Sequence, residues 1–214
     1  MGRVGMQVKK DEIREKILKV AREQFTRFGF SGTSMRHIAS RVCITTSNIY
    51  NYFSSKDHLF SEIVRSTTDE IDRALNRLKI QSDTAEAPSR DGYLTLKRDL
   101  DQSIRFVHRH REDLDLILFQ SHGSSMGNFK EYFIEKYTDI LVAQFEAQDR
   151  HRIQGRPGLS RFFFHNLCSF YANVVAEIIM HRVPLTKMKR YAEEISTFVF
   201  FGFRALMDGE ISTE

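Results

Sequence analysis

The chain has 214 residues, of which 41% are hydrophobic and 28% are charged, with three prolines and no tryptophan. This composition excludes a disordered chain, and the scarcity of helix breakers beside long stretches at helical spacing predicts an all-α fold. The formal net charge is +4, with twelve Lys and Arg against six Asp and Glu in residues 1–65 and 20 against 22 in the rest, which fits either a basic head that binds a polyanion or a solvated helix face.

The first predicted helix covers residues 9–28, where apolar side chains recur at spacings of three and four. Such spacing places them on the one face that a helix buries in a core. Gly29 follows and predicts the end of the helix, because glycine readily adopts the left-handed conformation found there. The apolar stripe consists of Ile13, Ile17, Val20, Ala21, Phe25 and Phe28.

Two short helices joined by a tight turn are predicted next. The second helix covers residues 34–41 with Thr33 as its N-cap, and the turn is residues 42–44. The third helix follows Thr45, another good N-cap, and ends near Phe53. Two short helices with such a turn form a helix-turn-helix.

The helix-turn-helix separates its side chains into a small core and a polar face. The predicted core is Ile38, Ala39, Ile44, Ile49 and Phe53. The hydroxyl and amide groups left facing outward on the third helix are those of Thr46, Ser47, Asn48, Tyr50, Asn51 and Tyr52. Such groups hydrogen-bond to phosphates and base edges, and a short exposed helix fits the major groove of DNA.

The remainder of the chain is predicted as six longer helices separated by loops. The fourth helix runs from Lys56 to about residue 79, with Ser54 or Ser55 as its cap, and a polar loop covers residues 81–92. The other five, which bring the total to about nine, cover residues 93–110, 112–120, 129–152, 160–182 and 186–207. Residues 113–118 alone alternate with the period of a strand.

Four linked motifs occur in order within the first 60 residues. They are AREQFTRFGF in the first helix, TS-x-x-x-IA in the second, T-x-x-x-IY-x-YF in the third and SK-x-x-L at the start of the fourth. In order and spacing this set resembles the tetracycline-repressor (TetR) family of bacterial regulators. The resemblance implies a DNA-binding head, residues 1–55, and a helical body for ligand binding and dimerisation, residues 56–214, linked by the fourth helix.

Several residues match family positions that contact the DNA backbone. Thr33 and Ser34 lie where the family caps its second helix and touches phosphate. Tyr50 and Tyr52 match positions that hold phosphates through their hydroxyls, and Lys56 matches a lysine that meets the backbone. A milder interpretation of the two tyrosines is that they are packing residues.

Other matched positions are those at which the family reads bases. Arg36 lies where members reach a base edge, and arginine suits guanine. The matched set at the start of the third helix is Thr45, Thr46, Ser47 and Asn48, with Asn51 as a further base contact. The milder interpretation of Thr45 is that it is a cap alone.

Two departures from the family pattern fall within the helix-turn-helix. The common Ala-Gly-Val turn is replaced by Val42-Cys43-Ile44, and Ser47 stands where a glycine is frequent. A non-glycine residue in the turn is strained if the backbone is left-handed there. Ser47 adds a polar group that faces DNA, so the operator is expected to differ from that of relatives.

The last two predicted helices carry several large apolar residues in succession. Such runs cover more than one helix face, so both helices need burial on two sides. The residues are Phe162, Phe163, Phe164, Leu167, Phe170, Tyr171, Val174, Val175, Ile178 and Ile179, then Ile195, Phe198, Val199, Phe200, Phe201, Phe203 and Leu206. We expect a homodimer through these helices, which sets two recognition helices about 34–36 Å apart; a thick monomeric core is the alternative.

The resemblance also implies a small-molecule effector, bound among the fifth to eighth helices. Each candidate contact is also compatible with an ordinary core or surface position. The candidates are His108, Phe119, Gln120, Phe133, Tyr137, Phe164, His165, Cys168, Tyr171 and Asn173.

Three rival functions are weighed. Gly123–Gly127 fits the Gly-x-Ser-x-Gly pattern with Ser125 as nucleophile, but that elbow needs a strand before it, so a small-residue loop is predicted and no enzyme. A non-specific architectural DNA binder would need a more basic body. An activator, or a regulator that answers a protein partner, stays open beside a ligand-released repressor of a palindromic operator.

The cysteines, the histidines and the lengths of the apolar runs indicate which cofactors and which cellular location to expect. Cys43 and Cys168 are too few for a disulfide framework or a cysteine zinc site, and the eight histidines show no metal-ligand spacing. No apolar run approaches the roughly 20 residues that span a membrane, and residues 1–16 lack a signal-peptide core. We therefore predict a cytoplasmic protein with no cofactor, no metal site and no membrane segment, whose partners are double-stranded DNA, a small-molecule effector and a second copy.

Overall fold

The computed structural model describes the backbone of residues 2–82, 92–149 and 159–208 and the side chains of residues 10–79, 100–146 and 159–206. Within these ranges every regular element is helical, which confirms the all-α prediction, and residues 113–118 are helical as well. Most of the predicted 81–92 loop lies outside the described residues. The elements are α1 (Gly2–Gly32), α2 (Met35–Val42), α3 (Thr46–Tyr50), α4 (Lys56–Ser82), α5 (Gly92–Arg109), α6 (Arg111–Asp115), a π-helical turn (Leu116–Gln120), α7 (Phe129–Asp149), α8 (Arg161–Met180) and α9 (Leu185–Asp208).

Helix α1 breaks where glycine predicted its end. Gly29 has φ 67° and ψ 173°, and one further turn carries the element to Gly32. Three of the six residues of the predicted stripe, Ile17, Ala21 and Phe25, are buried at 0% exposure, and Ile13 and Val20 are partly buried. Phe28 departs from the prediction, because it is 45% exposed while Gln24 is buried.

The caps of the next helices differ in one respect from the predicted ones. Ser34, not Thr33, caps α2, since its Oγ accepts the N–H of His37 at 3.2 Å. Thr33 is buried, and its hydroxyl donates to the carbonyls of Gln24 and Gly29 at 3.1 and 2.8 Å. Thr45 caps α3 as predicted, with its Oγ1 accepting a backbone N–H at 3.1 Å.

The first core joins α1 to α4 with the π-helical turn. Four of the five residues predicted for the helix-turn-helix core are buried and Ile44 is partly buried against them. Phe25, Phe30 and Phe60 pack as an aromatic group, with ring centroids 5.1–5.9 Å apart. Leu116 and Ile117 are buried in the same cluster, so the core of the head includes residues of the body.

The second core lies among α4 to α9. Ile71 and Leu75, in the second half of α4, are buried there with residues of α5, α6, α7, α8 and α9. The first half of α4 buries Leu59 and Phe60 in the head. Helix α4 therefore contributes buried residues to both cores.

Helix α8 requires a correction of the sequence analysis. Helix α8 is long and apolar enough to be a candidate membrane span, and 28% of its apolar stretch is buried inside the structure. Buried core helices satisfy the same criterion. Phe164 of this helix is buried at 3% exposure while Phe162 is 76% exposed, so two faces of α8 are apolar and one of them is open in the single chain.

Candidate nucleic-acid interface

The turn between α2 and α3 fixes the angle at which α3 is presented. Cys43 ends α2 in the left-handed conformation, with φ 63° and ψ 42°. Its amide donates to the carbonyl of Ser40 at 3.1 Å, and the amide of Ile44 donates to that of Ala39 at 3.0 Å. These bonds close the C-terminus of α2, as is usual for left-handed caps.

The surface of α2 and α3 is polar and free of acidic side chains. Residues 33–56 contain no Asp or Glu. The predicted contact residues that are exposed are Ser34, Arg36, Thr45, Ser47, Tyr50 and Asn51, and those that are partly buried are Thr46, Asn48, Tyr52 and Lys56. Hydroxyl, amide and guanidinium groups on one surface match the hydrogen-bonding and charge requirements of DNA.

Two of these side chains on α3 contact each other. Asn51 Nδ2 donates to Asn48 Oδ1 at 3.4 Å, and the amide of Asn48 is held by Thr45 Oγ1. Thr45 therefore caps α3, as the sequence predicted. Tyr52 packs against the first core, whereas Tyr50 is 50% exposed, so Tyr50 is the more exposed of the two tyrosines.

Thr33 and Lys56 do not share this exposed setting. Thr33 is 4% exposed. Lys56 Nζ donates to the carbonyls of Phe30 and Thr33 at 2.7 and 2.9 Å, and it lies 4.2 Å from the centroid of the Phe30 ring. Burial lowers the pKa of Lys56 below its usual value. Both side chains are engaged inside the head.

A loop of the body, residues 121–128 and here called the docking loop, contacts the head. Ser31 Oγ donates to the carbonyl of His122 at 2.6 Å, and the amide of Ser125 donates to Asp57 Oδ1 at 2.7 Å. Gly123 has φ 87°, and a Cβ there would lie 2.9 Å from Ser31 Oγ. The sequence predicted this loop but not its contacts, because no local pattern indicates partners that lie 91 and 68 residues away.

A partly buried polar network adds a second connection between head and body. Asp113 pairs with Arg22 of α1, and Thr67 of α4 donates to the other Asp113 oxygen at 2.5 Å. His110 contacts Thr67 at 2.9 Å and Glu70 at 3.0 Å. The network therefore ties α1 and α4 to the start of α6, a connection that sequence analysis missed.

Comparison with known proteins identifies the head. The model described as bacterial regulatory proteins, tetR family, matches residues 17–63, the stretch that carries α2, α3 and their supporting core. Residues 17–63 therefore carry the N-terminal module of the TetR family.

Relatives of this chain include two regulators of Bacillus subtilis (strain 168). The uncharacterised HTH-type transcriptional regulator YerO is 25% identical over 208 residues, which cover 93% of this chain and 66% of YerO. YhgD, described in the same words, is 29% identical over 107 residues, which cover 50% of this chain and 51% of YhgD. The matched part of the chain thus spans about half to two-thirds of the length of these relatives.

Solved structures share the fold. NalD, the secondary repressor of the MexAB-OprM multidrug efflux pump in Pseudomonas aeruginosa, aligns with a TM-score of 0.65 and 20% identity over 91% of this chain and 96% of its own. The regulator FadR from Bacillus subtilis, in complex with stearoyl-CoA, aligns with a TM-score of 0.51 and 14% identity over 85% and 96%. At these identities the likeness concerns the fold.

The relatives also bear on the enzyme alternative. The relatives of the chain are transcriptional regulators, which confirms the prediction that it is not an enzyme. The segment Gly123–Gly127 lies in the docking loop between two helical elements, and the backbone amide of Ser125 donates to Asp57 in the first turn of α4. The pattern there is a turn of small residues, as predicted.

The predicted effector contacts fall in several places. Phe133, Tyr137 and Cys168 belong to one small cluster between α7 and α8. Burial raises the pKa of the Cys168 thiol and of the Tyr171 hydroxyl. Cys168 hydrogen-bonds with Thr138, and Tyr171 hydrogen-bonds with Ser196.

The other effector candidates do not belong to that cluster, although the groove that two of them line shares Ile134 with it. His165 and Asn173 line a groove of about 310 Å³ between α7 and α8, and Phe164 is buried against Phe145 with ring centroids 5.3 Å apart. His108 and Phe119 are exposed, and Gln120 lies beside Gly29 at the contact between head and body. The ten candidates thus lie at several positions in the described part of the chain, and their roles stay predictions.

Proposed function

We propose that the chain is a cytoplasmic transcriptional repressor that binds a palindromic DNA operator as a homodimer and is released by a small-molecule effector. The observation that carries the proposal is the acid-free, polar surface of α2 and α3 above a fully buried support. The proposed division is a head, residues 1–55, and a body, residues 56–214, although the buried Leu59 and Phe60 belong to the core of the head.

Among the predicted contact residues, those with exposed side chains are the proposed DNA contacts. Arg36 and the start of α3 are positioned to meet base edges in the major groove. Ser34 and Tyr50 present hydroxyls at the ends of the two helices, where phosphates are met. Thr33 is the weakest member of the predicted set, because its hydroxyl is buried and bonded within the head.

The proposed homodimer is supported by the apolar surface of α8 and α9. Of the eleven large apolar or aromatic side chains that are exposed in the described part of the chain, seven lie on these helices. Phe162 and Phe198 are each 76% exposed and Phe201 is 54% exposed. A second copy that covers this surface removes it from water, which is the usual reason for such a patch.

Repression and effector release are supported by the relatives. NalD, of the same fold, is described as a repressor, and FadR is described with stearoyl-CoA bound. In the proposed mechanism, one conformation of the dimer sets the recognition helices at the operator spacing. A small molecule that binds another conformation more tightly shifts the population and weakens DNA binding by its differential affinity.

The proposal is tested by fluorescence anisotropy of the full chain on duplexes from upstream of its own gene. We expect one duplex to bind far more tightly than random DNA of equal length, with an affinity that falls steeply as salt is raised. Arg36→Ala with Tyr50→Phe is expected to weaken that complex by about tenfold or more, since a good base contact contributes about 1–3 kcal/mol.

The control for this experiment is Arg77→Ala, which removes an exposed arginine from the body part of α4. Its affinity for the operator duplex should match that of the unaltered protein. Equal binding to all duplexes, by the unaltered protein and both variants, would contradict the proposal. Stearoyl-CoA is the first effector probe, and a loss of anisotropy on its addition to the preformed complex would support release by an acyl ligand.

A further inference from the structure

The exposed apolar side chains of α8 and α9 are concentrated at one end of the two helices. Phe163, near the start of α8, lies beside Phe203 of α9 with ring centroids 6.5 Å apart, and Tyr171 hydrogen-bonds with Ser196. The helices therefore run antiparallel, and the beginning of α8 is level with the end of α9. This end, residues 161–172 and 195–206, is here called the aromatic end. Five of the seven exposed large apolar side chains of the two helices lie there: Phe162, Phe170, Phe198, Phe201 and Leu206.

Charged residues are distributed in the opposite way. Residues 173–194, here called the charged end, contain seven Lys, Arg and Glu, whereas the aromatic end contains only Arg161 and Arg204. Arg204 lies six residues after Phe198, so in a helix of 3.6 residues per turn it points about 120° away from that ring. Arg161 is paired with two carboxylates of α7. Both arginines of the aromatic end thus point away from its exposed rings.

Asn166 occupies the middle of the aromatic end on α8. It is exposed, and it lies one turn after Phe162 and one turn before Phe170, on the same face of the helix. Its Nδ2 donates to the carbonyl of Phe162 at 2.8 Å. The antiparallel pairing of the two helices places Asn166 at about the level of Phe201 of α9.

The aromatic end leaves enough apolar surface in water to form a specific interface. Its five large apolar side chains are 41–76% exposed, and with about 150–250 Å² for a whole aromatic side chain they leave roughly 500 Å² in water. Single chains rarely expose a continuous apolar patch above a few hundred Å². Two copies in contact would bury about 1,000 Å² from these side chains alone, which is the area that a specific interface needs.

We infer that the aromatic end forms the dimer contact, with the two-fold axis passing near Asn166, while the charged end stays in water. The inference rests on the proposed homodimer and specifies which half of α8 and α9 forms it. A two-fold contact joins the same surface of each copy, and an apolar surface whose charges point elsewhere meets itself without opposing like charges. Burial of the charged end would desolvate the exposed Lys187 and Arg190, which is unfavourable.

Two isosteric substitutions on α8 distinguish this contact from one that runs along both whole helices. Asn166→Asp and Asn173→Asp each add one carboxylate per copy, at exposed positions of one face that are about 10 Å apart. Near the axis, Asn166→Asp brings two carboxylates together away from water, so we expect the dimer dissociation constant to rise by about 100-fold or more. Asn173→Asp is expected to change it by less than about fivefold. Sedimentation velocity of the full chain over a range of concentrations measures both constants.

A second pair of variants tests the same contact on α9. Phe198 and Tyr191 are exposed aromatic residues two turns apart, one at the aromatic end and one at the charged end. We expect Phe198→Glu to be monomeric and Tyr191→Glu to remain dimeric at the same concentration. If a variant of one pair fails to fold, as judged by its helical circular dichroism, the other pair still decides.

The outcomes separate this inference from the proposed homodimer. A dimer that Asn166→Asp leaves intact, or that Tyr191→Glu or Asn173→Asp dissociates as strongly, would overturn the inference while the homodimer stands. A monomeric unaltered protein would instead contradict the homodimer itself.

Discussion

Cys43 occupies the position in the helix-turn-helix where the backbone is left-handed, with φ 63°. Its side chain is exposed, so its replacement removes no buried contact. Side chains with a Cβ are strained in this conformation by about 1–2 kcal/mol, while glycine loses about 0.5–1 kcal/mol more backbone entropy on folding. We expect Cys43→Gly to raise the free energy of unfolding by about 0.5–1 kcal/mol, as measured by urea denaturation.

The control for Cys43→Gly is Ser40→Gly, three residues earlier and exposed within α2. Glycine in the interior of a helix is destabilising by about 0.5–1 kcal/mol, so this variant should unfold at lower urea concentration than the unaltered protein. If both variants shift the transition in the same direction, the strain assigned to Cys43 is not present in the folded protein.

Single residues also show where sequence reasoning reaches its limit. The strain at Cys43 was predictable because the turn position was recognised from the motif. Thr33 and Ser34 are adjacent hydroxyl residues that satisfy the same capping preference, and only the backbone angles of Ser34, φ −119° and ψ 143°, distinguish the cap. The hydrogen bonds of Lys56 with Phe30 and Thr33 join residues 26 and 23 positions apart, which no local pattern specifies.

The docking loop links the head to the body through few hydrogen bonds, and its geometry depends on Gly123. That residue has a positive φ and lacks room for a Cβ, which would lie 2.9 Å from Ser31 Oγ. Gly123→Ala is expected to reduce the free energy of unfolding by about 1–3 kcal/mol, from backbone strain together with the steric clash. Chemical denaturation of the variant measures this reduction.

A double-mutant cycle separates the clash from the strain. Ser31→Ala removes the atom that the new Cβ would meet, so Gly123→Ala should be less damaging in that background by about 0.5–1 kcal/mol. Gly202→Ala is the matched control for a glycine substitution, because nothing lies within 4 Å of a Cβ at Gly202 of α9. If the effects of Ser31→Ala and Gly123→Ala on the free energy of unfolding are additive, a Cβ at position 123 does not clash with Ser31 of α1.

The elements were predicted more fully than the packing between them. Apolar spacing located most of the helices because a repeat of 3.6 residues is a local property of the chain. The π-helical turn at Leu116–Gln120 was predicted as an uninterrupted helix. Its buried Leu116 and Ile117 enter the head, and the sequence could not show this, since their apolar character is equally compatible with the core of the body.

At the scale of the whole molecule, the proposed assembly needs two surfaces. The polar surface of the head binds DNA, and the apolar surface of α8 and α9 joins the two copies. Two recognition helices read a palindrome only if something fixes the distance between them. The sequence predicted two-sided burial of these helices from consecutive aromatics. The structure shows the second side open in a single chain, with Phe162 exposed and Phe164 buried.

The proposed homodimer predicts the effect of a charge at the centre of that apolar surface. Phe198 is 76% exposed in the single chain, so Phe198→Glu should preserve the fold and the helical circular dichroism. In a dimer the carboxylate would be buried without a partner, which is strongly unfavourable. Analytical ultracentrifugation should show a dimer for the unaltered protein and a monomer for Phe198→Glu, and the variant should lose most of its affinity for the operator.

Phe28→Glu, a change at a 45% exposed position of α1, should remain dimeric. A monomeric unaltered protein, or a dimeric Phe198→Glu variant, would assign the exposed aromatic residues to some other contact.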